Sequence, residues 1–110
     1  MADLVEHKRG DTFDLSGAVD VTLDGQSVED LTGWTARSQL RTPVGTLVAE
    51  LDVVWLDASK RLLRLRKSAS ATLTWVLGEV LIDIELTSPA GDVVSTPTAS
   101  LIVTRDNTHA

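Results

Sequence analysis

The sequence predicts an all-β fold, an antiparallel sandwich of about seven short strands with one short helical turn. Three observations predict it. Apolar residues recur with period two in stretch after stretch, most cleanly over Gly78–Thr87, where Val80, Ile82, Ile84 and Leu86 alternate with Glu79, Leu81, Asp83 and Glu85. Successive side chains of a strand point to opposite faces, so this stretch carries one aliphatic face and one mostly acidic face. Helical winding would instead spread the acids into the aliphatic stripe. Turn-forming clusters punctuate the chain at spacings of roughly 8–12 residues, and no long stretch keeps a helical apolar period.

The elements follow in order. Leu4 and Val5 form a short apolar pair before His7-Lys8-Arg9 and a turn at Gly10-Asp11. From Thr12 to Leu23 the odd positions Phe13, Leu15, Gly17, Val19, Val21 and Leu23 face one way, predicting one strand, bent near Ser16-Gly17. Asp24-Gly25 adopts positive φ at low cost and reverses the chain. A polar stretch containing Val28 and Leu31 ends in Asp30-Leu31-Thr32-Gly33. Trp34, Ala36, Ser38 and Leu40 then alternate with Thr35, Arg37, Gln39 and Arg41, giving a strand with a solvated basic face. Thr42-Pro43-Val44-Gly45 is a turn, with φ preset at Pro43 and Gly45 free to be left-handed. Leu47, Ala49 and Leu51 mark the next half-buried strand. The alternation fails over Val53-Val54-Trp55-Leu56, which predicts a bulge or a new strand.

Asp57-Ala58-Ser59-Lys60 is a further turn, and Leu63 and Leu65 share the inner face of a strand over residues 61–67. Ser68-Ala69-Ser70-Ala71-Thr72 predicts a short helical turn capped by the Ser68 hydroxyl, after which Leu73, Trp75 and Val76 plug one end of the core. Ser88–Asp92 closes the strand over Gly78–Thr87, and Val93 and Val94 open the last arm. Pro97 must lie at a bulge or edge, where no ladder donor is needed. Ala99, Leu101 and Val103 line the final strand. This count and spacing is the pattern of an Ig-like sandwich, with a small closed barrel as the other solution. One domain over residues 1–110 is expected, with loosely ordered ends at 1–7 and 105–110.

Composition bounds the function. A net charge of −6 opposes nucleic-acid and anionic-membrane partners, both of which demand a basic face. Without cysteine, no disulfide or thiolate metal site can form, and stability must come from packing. The N-terminus MADLVEHKRG lacks a signal-peptide apolar run, so synthesis in a cytoplasm is expected.

Residues able to carry chemistry are few. His7 and His109 lie near the chain ends without a second imidazole at ligand spacing, and both are expected to be solvated. Asp83 and Glu85 share a face and could flank a glycosidic bond, the basis of a small-hydrolase alternative; their simpler role is solubility. Asp3, Asp11, Asp14, Asp20 and Asp24 do not have the spacing of a calcium loop. No GxSxG, phosphate-cradling glycine loop or His/Cys cluster is present, so no catalytic, metal or cofactor site is predicted. The cations Arg61, Arg64, Arg66 and Lys67, with Arg37 and Arg41, form either a solvated face paired with Glu79, Asp83 and Glu85 or a surface for an acidic partner. Trp34 and Trp75 fall at core positions. Trp55 could be a sugar-stacking platform, which gives a carbohydrate-binding alternative. Leu62, Leu81 and Ile102 point away from the predicted core. Together with Trp55, Arg64 and Arg66 they make the expected interaction surface, for a homo-oligomer or another protein.

The turns carry a resemblance. Asp24-Gly25, Asp30-Leu31-Thr32-Gly33 before a strand, Leu56-Asp57-Ala58 before an Arg/Leu strand, Pro89-Ala90-Gly91-Asp92 and Ser95-Thr96-Pro97 resemble the N-terminal Ig-like domain of the baseplate upper protein of tailed bacteriophages. Related small phage and prophage tail proteins often open in the manner of Arg9-Gly10-Asp11-Thr12-Phe13. The likeness runs from Lys8 to Val103. It implies a non-enzymatic virion component of the tail or baseplate, made in the bacterial host cytoplasm and binding other phage tail proteins. The baseplate proteins continue into a long C-terminal region that carries receptor-binding proteins. This chain stops at Ala110, so a standalone accessory component is expected.

Overall fold

The structure, a computed structural model, describes residues 4–96 and 99–105. Its strands are β1 (Leu4–Lys8), β2 (Phe13–Ala18), β3 (Thr22–Leu23), β4 (Gln26–Ser27), β5 (Thr35–Arg41), β6 (Leu47–Asp57), β7 (Leu62–Lys67), β8 (Gly78–Thr87), β9 (Val93–Ser95) and β10 (Ala99–Thr104). A 3₁₀ turn spans Ala58–Lys60 and a single helical turn, α1, spans Ala69–Thr72. The fold is the predicted all-β, Ig-like sandwich, nearly closed into a barrel, with its one short helical turn.

Strand order is β1-β10-β8-β5-β6-β7-β2, antiparallel throughout except for the parallel β1–β10 pair. β8 is central, as its clean period requires: β5 pairs along one edge, and β10 and β9 lie in line along the other. β6 joins the two sheets. Leu47–Leu51 pairs with β5, whereas Asp52–Asp57 pairs with β7. The lost alternation at Val53–Leu56 is therefore no new strand. β6 continues, Val53 and Trp55 turn inward, Val54 and Leu56 stay exposed, and the ladder shifts between Trp55 and Asp57. Closure stops at β2, which pairs only with β7 among the described strands. An apolar groove of about 280 Å³ separates it from the opposite sheet, lined by Leu15, Gly17, Leu65, Ile82, Ile84 and Ala99 among others.

Two buried clusters fill the sandwich along its length. Phe13, Leu40, Leu51, Leu65, Trp75, Val80, Ile82, Leu101 and Val103 form one. Val19, Val21, Leu31, Trp34, Leu63 and Leu86 form the other, and Val53 and Ile84 pack against both. Val80 and Ile82 are buried with Phe13, Leu101 and Val103 as their shared period demands, Leu86 is buried in the second cluster, and Ile84 and Leu15 are half-buried because they line the open groove.

Several expectations are corrected. The stretch from Thr12 to Leu23 is two strands. At Val19 the chain leaves the ladder, its N–H donating to the Arg61 carbonyl at 3.0 Å and its carbonyl accepting from Arg61 Nη1 at 3.1 Å. Val19 and Val21 thereby enter the second cluster, and Asp24 and Gly25, at φ 52° and 78°, close a two-residue hairpin between β3 and β4. Residues 4–7, expected to be loose, belong to β1. The Ser68 hydroxyl makes no capping bond; its carbonyl accepts from the Ala71 and Thr72 amides instead. Pro97 lies outside the described residues, as does the C-terminal end from residue 106.

Candidate interaction surface

The expected surface does not assemble as one patch. Leu81 and Ile102 are diagonal neighbours on the outer face of the β10–β8 pair, where Leu81 faces Ser100 and Ile102 faces Glu79. Leu62 lies on the outer face of the other sheet, opposite Ala18 of β2. Trp55 is half-buried against the second cluster, and its Nε1–H donates to the Trp34 carbonyl at 3.0 Å. It packs, half-buried, where β6 passes between the two sheets. Arg64 grips the Asp14 carboxylate through Nε and Nη2, with Arg66 Nε at 3.7 Å from the same group. That contact holds the Asp14 carboxyl below its ordinary range and raises Arg64.

The basic run of β7 therefore pairs with acids of its own sheet and its neighbouring turns. Lys67 reaches Asp52 at 3.8 Å, and Arg61 reaches Asp20 at 2.9 Å and Glu29 at 3.9 Å. The predicted partners Glu79, Asp83 and Glu85 belong to the other sheet. There Asp83 and Glu85 line a shallow polar depression of about 340 Å³ with Arg37, Gln39, Arg41, Ser95 and Thr96. Arg37 Nε bonds Glu50 at 3.0 Å, and Arg41 bonds the Gln39 and Gly45 oxygens.

His7 is half-buried, not fully solvated. Its ring lies 5.3 Å from Phe13 and 5.4 Å from Trp75, and Nε2–H donates to the Asp11 carbonyl at 3.1 Å. Burial lowers its pKa against the smaller opposing pull of Asp11. The Asp11 carbonyl also accepts from the buried Thr72 hydroxyl, which accepts the Gly10 N–H and shares its proton with the Ala69 carbonyl. His109 lies outside the described residues. Among the described residues no group of three or more His, Cys, Asp or Glu could hold a metal ion, and no helix is long and apolar enough to cross a membrane.

The unpredicted feature is a contrast between the two ends of the sandwich. Strand register puts the Arg9–Thr12 turn, the Thr42–Thr46 turn and the α1–β8 connection at one end. Arg9 N–H bonds the Thr104 carbonyl, Gly10 N–H bonds Thr72, and Val103 faces Gly78. Trp75 plugs this end at 2% exposure, but its neighbours Leu73, Val76 and Leu77 remain 53%, 45% and 42% exposed. This corrects the expected plugging role of Leu73 and Val76. Val44, 90% exposed, and Leu47 project from the same end. Among the described residues its connections and strand termini carry Lys8, Arg9, Arg41, Lys67 and Arg105 against Asp11, with Lys67 also reaching Asp52 of β6.

At the other end the Leu31 N–H bonds the Ala58 carbonyl, and Gly33 approaches Pro89 so closely that a Cβ there would lie 3.2 Å from its Cγ. Asp20, Asp24, Glu29, Asp30, Asp57 and Asp92 gather here against Lys60 and Arg61. Hydrogen bonds from Thr32 to Asp30 and from Ser59 to Asp57 lower both carboxyl pKa values. The signal available beforehand was Leu73-Thr74-Trp75-Val76-Leu77, an apolar run too crowded for every side chain to face inward.

No protein-family model matches the chain. No curated protein matches it either. Among solved structures the chain is similar to the crystal structure of CopC from Methylosinus trichosporium OB3b, with a TM-score of 0.53 and 13% sequence identity over all of this chain and 91% of that one. At this identity the likeness is one of fold, and it identifies the chain as a β-sandwich of that shape.

Proposed function

We propose that the protein is a non-enzymatic structural component of a phage or prophage tail, a module whose role is to bind other proteins of the particle. One observation carries the interaction role: Val44, Leu73, Val76 and Leu77 are all exposed at one end of the sandwich. Aliphatic groups gathered this way cost solubility unless a partner covers them. The tail setting rests on the resemblance in the turns, whose Asp24-Gly25 pair forms the β3–β4 hairpin turn.

Reconstitution with purified tail proteins encoded beside this one tests the proposal. Complex formation that Leu77→Glu weakens is the expected result. Neighbouring genes of unrelated function, or no complex with any tail protein, would overturn it.

A further inference from the structure

The two ends of the sandwich are unlike in a complementary way. Among the described residues one combines five cations, of which Lys67 is paired with Asp52, with exposed Val44, Leu73, Val76 and Leu77; the other carries six carboxylates around Lys60 and Arg61. The acidic end also has apolar surface, in exposed Val93, Pro89 and Ala90. The ten residues of β8 hold the ends about 33 Å apart, several Debye lengths at physiological salt, so each end presents its own field. We infer that the chain associates head to tail, the apolar basic end of one copy seating on the acidic end of the next. The inference rests on reading the protein as an interaction module, and it names a second copy of this chain as the partner.

Charge complementarity selects this arrangement over a symmetric pair. A two-fold contact through either end would set cations against cations or carboxylates against carboxylates, whereas the heterologous contact pairs opposites and covers the exposed aliphatic groups. Asp30 and Asp57, held by Thr32 and Ser59, keep the acidic end charged below the ordinary carboxylate range. The end cross-section, taken from principal extents of 27 and 23 Å, is about 500 Å² per copy. That is the low end of specific interfaces, so the contact should be weak, concentration-dependent and salt-sensitive. A heterologous contact leaves a free end on each new copy, so assembly grows beyond a dimer into a ring or a filament.

Sedimentation velocity on the full chain, up to about 1 mM protein and at about 20 mM and 500 mM salt, is the test. Growth beyond dimers at low salt, reversed at high salt, is expected. Leu77→Glu disables the basic end, and the double variant Asp24→Asn, Glu29→Gln discharges the acidic end while Asn keeps the left-handed turn position. Each variant alone should weaken association about tenfold or more. Because each retains one intact end, mixing the two should restore a capped one-to-one pair. A wild type that stays monomeric overturns the inference, as does a dimer that both variants leave intact or that mixing fails to restore. A monomer that still binds a tail protein overturns head-to-tail assembly alone and leaves the proposed function standing.

Discussion

Replacing Thr72 by Val isolates one buried hydroxyl. Thr72 is fully buried at the C-terminus of α1, and its Oγ1 accepts the Gly10 N–H at 2.9 Å while its O–H is shared between the carbonyls of Asp11 and Ala69. Valine has the same shape, so no cavity opens. The Asp11 carbonyl keeps the proton of His7 Nε2, but the Gly10 N–H loses its partner. An amide stranded in this way costs about 1–3 kcal/mol. Thr72→Ser keeps the hydroxyl and loses one methyl group, worth about 0.8 kcal/mol. For a chain of 110 residues each kcal/mol moves the melting temperature by about 4 °C, so Val should lower it by about 4–12 °C and Ser by about 3 °C. Urea titration with an unchanged slope measures the difference, and hydrogen exchange at Gly10 locates it. A valine variant at least as stable as the serine variant would refute the reasoning, because packing of the methyl group would then outweigh the hydrogen bonds.

Ile82, buried on β8 at the heart of the first cluster, should lose about 2–5 kcal/mol on replacement by Ala; equilibrium denaturation checks it, and a loss below that range would mean that the site collapses around the cavity. His7 should make stability pH-dependent. Burial lowers its folded pKa beneath the ordinary imidazole value of 6.5, so the unfolded chain takes the proton first as pH falls. Its stabilising share is complete above pH 6.5 and declines below it until the lowered folded value is passed, and His7→Gln should remove that part of the slope. Two glycines should respond oppositely to Ala. Gly33, at φ +85° with Pro89 Cγ 3.2 Å from the new Cβ, should be destabilised by more than about 1 kcal/mol. Gly17 on the β2 edge, with open space around the added Cβ, should gain about 0.4–1 kcal/mol, and parallel thermal melts compare the two.

The candidate surface was far less legible in the sequence than the strands. Period two correctly turned Leu62, Leu81 and Ile102 outward, yet Leu62 lies on one sheet and the other two on the opposite one. The Trp55 ring escaped prediction because β6 changes sheets just before it, so its neighbours come from two elements that the local pattern does not identify. Arg64 has a carboxylate partner as anticipated, but that partner is Asp14 on β2, fifty residues away along the chain.

What the sequence by itself determined is what short-range physics decides. Alternation assigned inside and outside on β5, β7, β8 and β10, and the stereochemistry of Asp24-Gly25 and Gly45 located reversals, because side-chain direction and φ depend on a residue and its immediate neighbours. Only the tertiary structure decided which strands pair, where β6 passes between sheets, and that β2 leaves a groove open. It also decided the contrast between the two ends. Val44 and Leu77 are more than thirty positions apart, and Lys8 and Arg105 nearly a hundred, yet each pair lies at one end of the sandwich. Periodicity states which face a side chain takes but carries no information on which end of one strand lies beside which end of another. That choice belongs to chain connectivity and strand order, and it exists only once the sheets are assembled.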